Sequence, residues 1–150
     1  MGSCPVSNVS TKETIEAIKR AKMEGLQVTC DTSPQYFCLN ELELSSYNTS
    51  FKLSPLLREE SDRLSVLKAI SEDIIDIITS DHRSMSKDTK ILPFSSASIG
   101  ASGIETLLPL ALTLKNEISL SIYEILKKMT LNPSKLLNIE IPKIKSNRRA

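Results

Sequence analysis

Ser80-Asp81-His82 directly follows an isoleucine-rich run, Ile74–Thr79 (IIDIIT), which places a carboxylate at the C-terminal end of a predicted strand. In α/β barrels that end carries the active site. A plain loop Asp capping the next turn fits the same spacing. His82 is the single histidine of the chain, so a metal site built from several imidazoles cannot be assembled from these residues alone. Other nucleophiles lack their usual company. Ser33 precedes Pro34 without a G-x-S-x-G elbow, and Cys30 and Cys38 have no second histidine to activate them, so both thiols read as small buried fillers. Four glycines form no phosphate-cradling loop, which argues against dinucleotide and P-loop sites. Asp62 and Arg63 read as part of a solvated helix face.

The elements that would position Asp81 alternate between β and α patterns. Thr11 is a fitting N-cap for a helix carrying Ile15 and Ile18 and ending near Gly25. Leu26–Thr32 reads as a strand stopped before Pro34, and Asn40 caps a short turn. A helix from about Glu59 to Ile70 is expected to place Leu64, Leu67 and Ile70 on one face. The Ile74–Thr79 run reads as a strand buried on both sides. Residues 107–114 and 120–131 follow as helices, the second anchored by Ile122, Ile125, Leu126 and Met129. A short helix starts at Asn132-Pro133 and runs through Leu137. Strands alternating with helices of this size indicate an α/β fold around a parallel sheet.

Composition bounds the partners. Of 150 residues, 19 are basic and 18 acidic, and aromatics are 4% with no Trp. That balance offers neither an electrostatic footprint for nucleic acid nor a stacking platform. No apolar run is long enough for a membrane helix. Three cysteines without a C-x-x-C pair exclude a disulfide framework or zinc knuckle. The first residues lack a leader pattern, and Val6 stands where a myristoylation signal wants Ser or Thr, so a cytoplasmic location is expected.

Read together, five segments resemble the C-terminal half of a dihydroorotase, a cyclic amidohydrolase with a (β/α)8 barrel. VSNVSTKETIEAIKRAKMEGLQVTCDTSPQYFCL is similar to the family's H-x-S-T, helix and T-P-H-H-L stretch. FKLSPLLREESDR resembles K-x-N-P-P-L-R-x-x-x-D-R, and IIDIITSDHRSMS resembles I-D-x-I-x-T-D-H-A-P-H. FSSASIGASGIETLLPL follows F-x-x-A-P-x-G-x-x-G-x-E-T, and MTLNPSKLLNI the closing N-P-A-K segment. The blocks keep family order and spacing over nearly residues 5–139.

The resemblance implies a partial TIM-type barrel, about the last four β/α units plus C-terminal helices, over residues 1–139. Residues 140–150 form a basic tail. Four strands are expected, near Cys4–Asn8, Leu26–Thr32, Phe51–Ser54 and Ile74–Thr79. It also implies zinc as the family's metal, held by histidines at two strand ends and by an Asp that moves the proton. Here Asn8 and Gln35 occupy the two histidine positions, and only Asp81 survives. Neutral amides are poor zinc ligands beside imidazole or carboxylate, so this chain is expected to bind none. Of the substrate-binding positions, Ser54 replaces an Asn, Met85 replaces a His, and Gly100 is kept, either for a ligand or as a turn residue. Asp81 is expected to line an open strand end without a partner. The family's H-x-H pair and bridging ligand belong upstream of these blocks.

The implied function is a truncated dihydroorotase-like protein of pyrimidine biosynthesis, inactive alone. The alternatives are a non-catalytic partner subunit, for instance of a transcarbamoylase, and one half of a split cyclic amidohydrolase. Four units leave two open edges, worst at the isoleucine strand, so self-association or a partner chain is expected to complete the barrel.

Overall fold

The isoleucine run is buried as the sequence predicts, but only Ile77–Ile78, in its C-terminal half, pair as a strand. The structure, a computed structural model, describes residues 4–141. The basic tail from residue 142 onward therefore lies outside the described residues.

The chain begins with β1 (Cys4–Val6), α1 (Lys12–Met23) and β2 (Val28–Thr32). Thr11 caps α1, its side chain accepting the Thr14 N–H, and Gly25 beyond the other end takes the left-handed φ of 77° that glycine tolerates best. The short α2 (Pro34–Cys38) leads through two 3₁₀ turns to α3 (Glu60–Ser71) and β3 (Ile77–Ile78). The remainder is helical: α4 (Lys87–Lys90), α5 (Leu107–Glu117), α6 (Ile122–Met129) and α7 (Leu131–Leu136).

The strands form one parallel sheet in the order β1-β2-β3, with Cys4 opposite Val28 and Asp31 opposite Ile77. The architecture is thus α/β, an open three-stranded parallel sheet rather than a closed barrel. Phe51–Ser54, the fourth expected strand, is not one. Thr49–Phe51 winds into a 3₁₀ turn because the Asn48 side chain accepts the Ser50 N–H, a local bond that competes with extended pairing. Leu53 then turns inward to pack with Tyr36 and Leu57 in a small second core, and the Ser54–Pro55 peptide is cis. β3 consequently lies directly beside β2.

The main core fills the space between sheet and helices. Phe37, Val66, Ile70, Ile75, Leu114 and Ile125 are fully buried in it. Two helix faces differ from expectation. In α3, Leu64 is 52% exposed while Val66, Leu67, Ala69 and Ile70 are buried. A repeat of three residues drifts about 60° per step around a 3.6-residue helix, so the 64/67/70 set spreads over about 120° and Leu64 falls at its exposed edge. Arg63 occupies the buried edge instead, donating to the Phe37 carbonyl (2.9 Å) and pairing with Glu60 and Glu117. Asp62 accepts the Lys12 N–H (2.8 Å), so neither residue is merely solvated. In α6, Ile122 and Leu126 face outward, and Lys128 is buried beside Ile125. The Lys128 ammonium bonds the Asp73 carboxylate and the Ile75 carbonyl, which gives a buried charge its partners.

The entry to β3 is held by side chains from three helices. Lys22 of α1 donates to the Ile74 carbonyl, Lys128 of α6 to that of Ile75, and Asn132 of α7 to that of Asp76. The Asp76 carboxylate in turn accepts Lys22 Nζ at 2.7 and 2.8 Å and the Cys30 N–H at 2.9 Å. No helix among the described residues is long and apolar enough to cross a membrane.

Candidate functional site

Because the strands are parallel and adjacent, the residues after each one converge at the same end of the sheet. Asn8 follows β1, Gln35 lies in the first turn of α2 just after β2, and Asp81 follows β3. All three expected positions therefore share one strand-end face. What ties that face together is Asp31, which the sequence reading passed over. Its carboxylate accepts the Ser7 hydroxyl (2.9 Å) and the Asn8 N–H (3.0 Å), and Thr79 Oγ1 lies 3.4 Å away. One carboxylate thus links the ends of all three strands. The signal was present in VTCDT, an acidic residue at a strand position where neighbours are apolar or β-branched.

The three positions that the resemblance links to metal differ in how far they are engaged by the protein. Asn8 sits at a left-handed φ of 56°. Gln35 Nε2 lies 3.4 Å from the Ser80 carbonyl, and Gln35 Oε1 is buried without a partner. Asp81, also left-handed at φ 41°, is not the open, unpartnered residue that was expected. Its side chain is only 12% exposed and accepts Arg83 Nε at 3.2 Å. The Asp81 carboxylate also reaches Tyr36, whose phenol is raised well above its ordinary value, first by burial and then by this negative charge. Tyr36 Oη donates to the Pro55 carbonyl.

His82 turns elsewhere. Its Nδ1 accepts the N–H groups of Gly103 and Ile104, at 3.2 and 3.3 Å, which assigns the proton to Nε2 and leaves no lone pair for a metal. The three expected positions thus offer two amides and one carboxylate facing a guanidinium, and the Asp31 carboxylate beside them is taken up by Ser7 and the Asn8 N–H. That set does not fit zinc, and among the described residues no three His, Cys, Asp or Glu side chains cluster to hold a metal. The thiols fit the filler reading. Burial pushes Cys30 and Cys38 up to about 11, and the Cys30 thiol donates to the Ile74 carbonyl.

Two of the three positions that the resemblance assigns to substrate meet in a separate cavity. Met85 and Gly100 line a space of about 300 Å³ with Ser50, Lys90, Ala101 and Ser102. Ser54 is exposed and does not line it. Gly100 has a local reason to be glycine: at φ 127°, a Cβ there would lie 2.7 Å from the Arg83 Cβ. Its backbone makes a close crossing against the Arg83 segment, where His82 and Ala101 form a parallel bridge.

The Arg83 contact gives Asp81→Asn a defined cost. Asn keeps an acceptor for Arg83 but loses charge, so about 1 kcal/mol of stability is expected to go. Urea unfolding of both chains measures it, and a change below about 0.3 kcal/mol would leave Asp81 without a structural role.

Parallel strands with their polar residues gathered at the C-terminal ends define the general class of α/β barrel proteins. A model of the amidohydrolase family matches residues 3–150, and the chain belongs to that family. It is similar to the dihydroorotase of Anaplasma phagocytophilum (strain HZ), with 37% identity over 139 residues, 93% of this chain and 31% of the relative. Similarity to the dihydroorotase of Acetivibrio thermocellus reaches 39% over 146 residues, 97% of this chain and 34% of the relative. The chain therefore spans about a third of the length of the curated relatives it matches.

Among solved structures it resembles an L-hydantoinase (dihydropyrimidinase) from Arthrobacter aurescens, with a TM-score of 0.82 and 28% identity over 89% of this chain and 31% of that one. An inactive dihydroorotase-like domain of a Chaetomium thermophilum CAD-like multifunctional protein shares the fold at TM-score 0.68 and 23% identity. That match covers 92% of this chain and 37% of the other. The open sheet thus corresponds to part of an amidohydrolase barrel.

Proposed function

We propose that this chain is a dihydroorotase-like module whose own residues do not support zinc-dependent opening or closing of the dihydroorotate ring. The observation that carries this reading is the strand-end set: Asn8 and Gln35 where the family places imidazoles, and Asp81 engaged by Arg83. Ring chemistry of this kind needs a polarised amide carbonyl and an activated water, with a carboxylate free to pass the proton. Amide side chains deliver none of these at neutral pH. The residues kept from the family blocks mostly hold backbone: Gly25 ends α1, Leu57 packs with Tyr36, and Gly103 touches the Ser80 carbonyl.

Purified chain dialysed with zinc and then with a mild chelator is expected to retain less than about 0.1 zinc per chain. It is also expected to consume no dihydroorotate above buffer. Stoichiometric zinc together with turnover that Asp81→Asn abolishes would overturn the proposal.

A module of this kind acts through contacts rather than turnover. Among the described residues β1 pairs on one side only, and Cys4 and Pro5 on it are exposed, which supports completion of the sheet by a second copy or another chain. Sedimentation at micromolar concentration is expected to show species larger than 16.6 kDa. A monodisperse monomer with cooperative unfolding would remove this part of the reading.

A further inference from the structure

We infer that the outer face of α5 binds a second copy of this chain, α5 against α5 in antiparallel orientation across a two-fold axis. The first eight residues of the helix, LLPLALTL, are apolar nearly all round, a composition that suits a helix covered on every side. Only one side is covered here. Ala111 and Leu114 are fully buried, and Leu107 packs on the same core. Leu108 is exposed, and Leu112 is only half-buried. The Leu107 N–H bonds the Gly103 carbonyl, so the helical turn reaches back through Ile104 and Glu105 and keeps both in register with α5.

Glu105, Leu108, Leu112 and Lys115 follow one another at intervals of three, four and three residues, the spacing that lays side chains along one seam of a helix. The seam reads acid, leucine, leucine, base, and it is symmetric about Leu110. A second copy turned end for end sets Leu112 against Leu108 in the two middle layers and Lys115 against Glu105 at both ends. A parallel copy would instead bring like charges together at each end, so charge selects the antiparallel orientation. Glu105 and Lys115 are exposed, and among the described residues neither forms an ion pair. Ile104, also exposed, flanks the seam and adds apolar area. The helix has 11 residues and spans about 16 Å, so the contact is smaller than a standard interface and the dimer is weak and reversible. It uses neither β1 nor the strand-end residues and does not rest on completion of the sheet.

The test is a charge reversal read by sedimentation velocity of the full chain from about 10 to about 500 µM, the range in which a contact of this size associates. Glu105→Lys and Lys115→Glu are each expected to weaken association at least about tenfold, because by symmetry one substitution faces like charges at both ends of the seam. The double variant Glu105→Lys/Lys115→Glu restores opposite charges and is expected to return to within about threefold of the unmodified chain. All four side chains altered across the two copies are exposed, so the folded protomer survives, and circular dichroism of each variant checks this. Should one single variant fail to fold, the other places like charges at the same two contacts and decides. Association that Glu105→Lys and Lys115→Glu leave within about threefold, or a double variant no tighter than the singles, overturns the assignment and leaves the β1 edge as the contact. A monomer throughout the concentration range overturns both.

Discussion

Asp76→Ala is expected to cost about 2–3 kcal/mol and to lower the melting temperature by roughly 5–10 °C for a chain of this size. The carboxylate is the only acidic group in the Ile74–Thr79 run, and three groups converge around its residue. Lys22 Nζ bonds both of its oxygens, the Cys30 N–H bonds one, and Asn132 holds the neighbouring carbonyl. Both charged side chains are about a quarter exposed, 26% for Lys22 and 27% for Asp76. Removing one partner therefore strands an ammonium that water reaches only in part, together with a strand N–H. Lys22→Met separates the two contributions. In that background Asp76→Ala should cost about 1–2 kcal/mol less, the signature of direct coupling. Additive effects, or a single-variant cost below about 1 kcal/mol, would mean that the four elements meeting here do not depend on this carboxylate.

Gly103→Ala is expected to lose about 2–3 kcal/mol, although its backbone is not left-handed. A Cβ there would sit 2.3 Å from the Ser80 carbonyl oxygen and 3.4 Å from Gln35 Nε2. The first obstacle is main chain and cannot rotate away. Relief requires the Ser80–His82 segment to part from Gly103, which pulls His82 Nδ1 off the N–H groups of Gly103 and Ile104. Gly25→Ala is the informative contrast. It meets nothing within 4 Å but carries φ 77°, so only the conformational penalty of about 1 kcal/mol remains. Denaturant midpoints of the two variants compare a packing cost with a backbone cost. A Gly103→Ala change no larger than that of Gly25→Ala would refute the close approach.

The parts of this fold that could be read in advance are those governed by neighbours in sequence. The Thr11 cap, the Gly25 stop, the Asn40 turn and the buried isoleucines depend on a few adjacent residues, and each is found where its chemistry asked for it. The Phe51–Ser54 segment went wrong because apolar content alone does not make a strand. Asn48 offered a competing local bond, and the core beneath Tyr36 drew Leu53 away. Asp31, Arg63 and Lys128 were missed for the opposite reason, since each has a partner 23 to 55 positions away. For the site, the convergence of positions 8, 35 and 81 followed from their places after parallel strands. The engagement of Asp81 by Arg83 did not, because it depends on a left-handed bend at Asp81 itself.

The sequestered thiol of Cys30 makes the protein its own clock. Burial and then the nearby Asp76 carboxylate push it up to about 11, so it stays protonated at neutral pH. A thiol-reactive label reaches it only when β2 and β3 separate, whereas the exposed Cys4 is labelled at once. Cys38 is half-buried, so the interval between the Cys4 and Cys30 adducts, each assigned by peptide mapping, reads the opening of the sheet without denaturant and without an engineered probe.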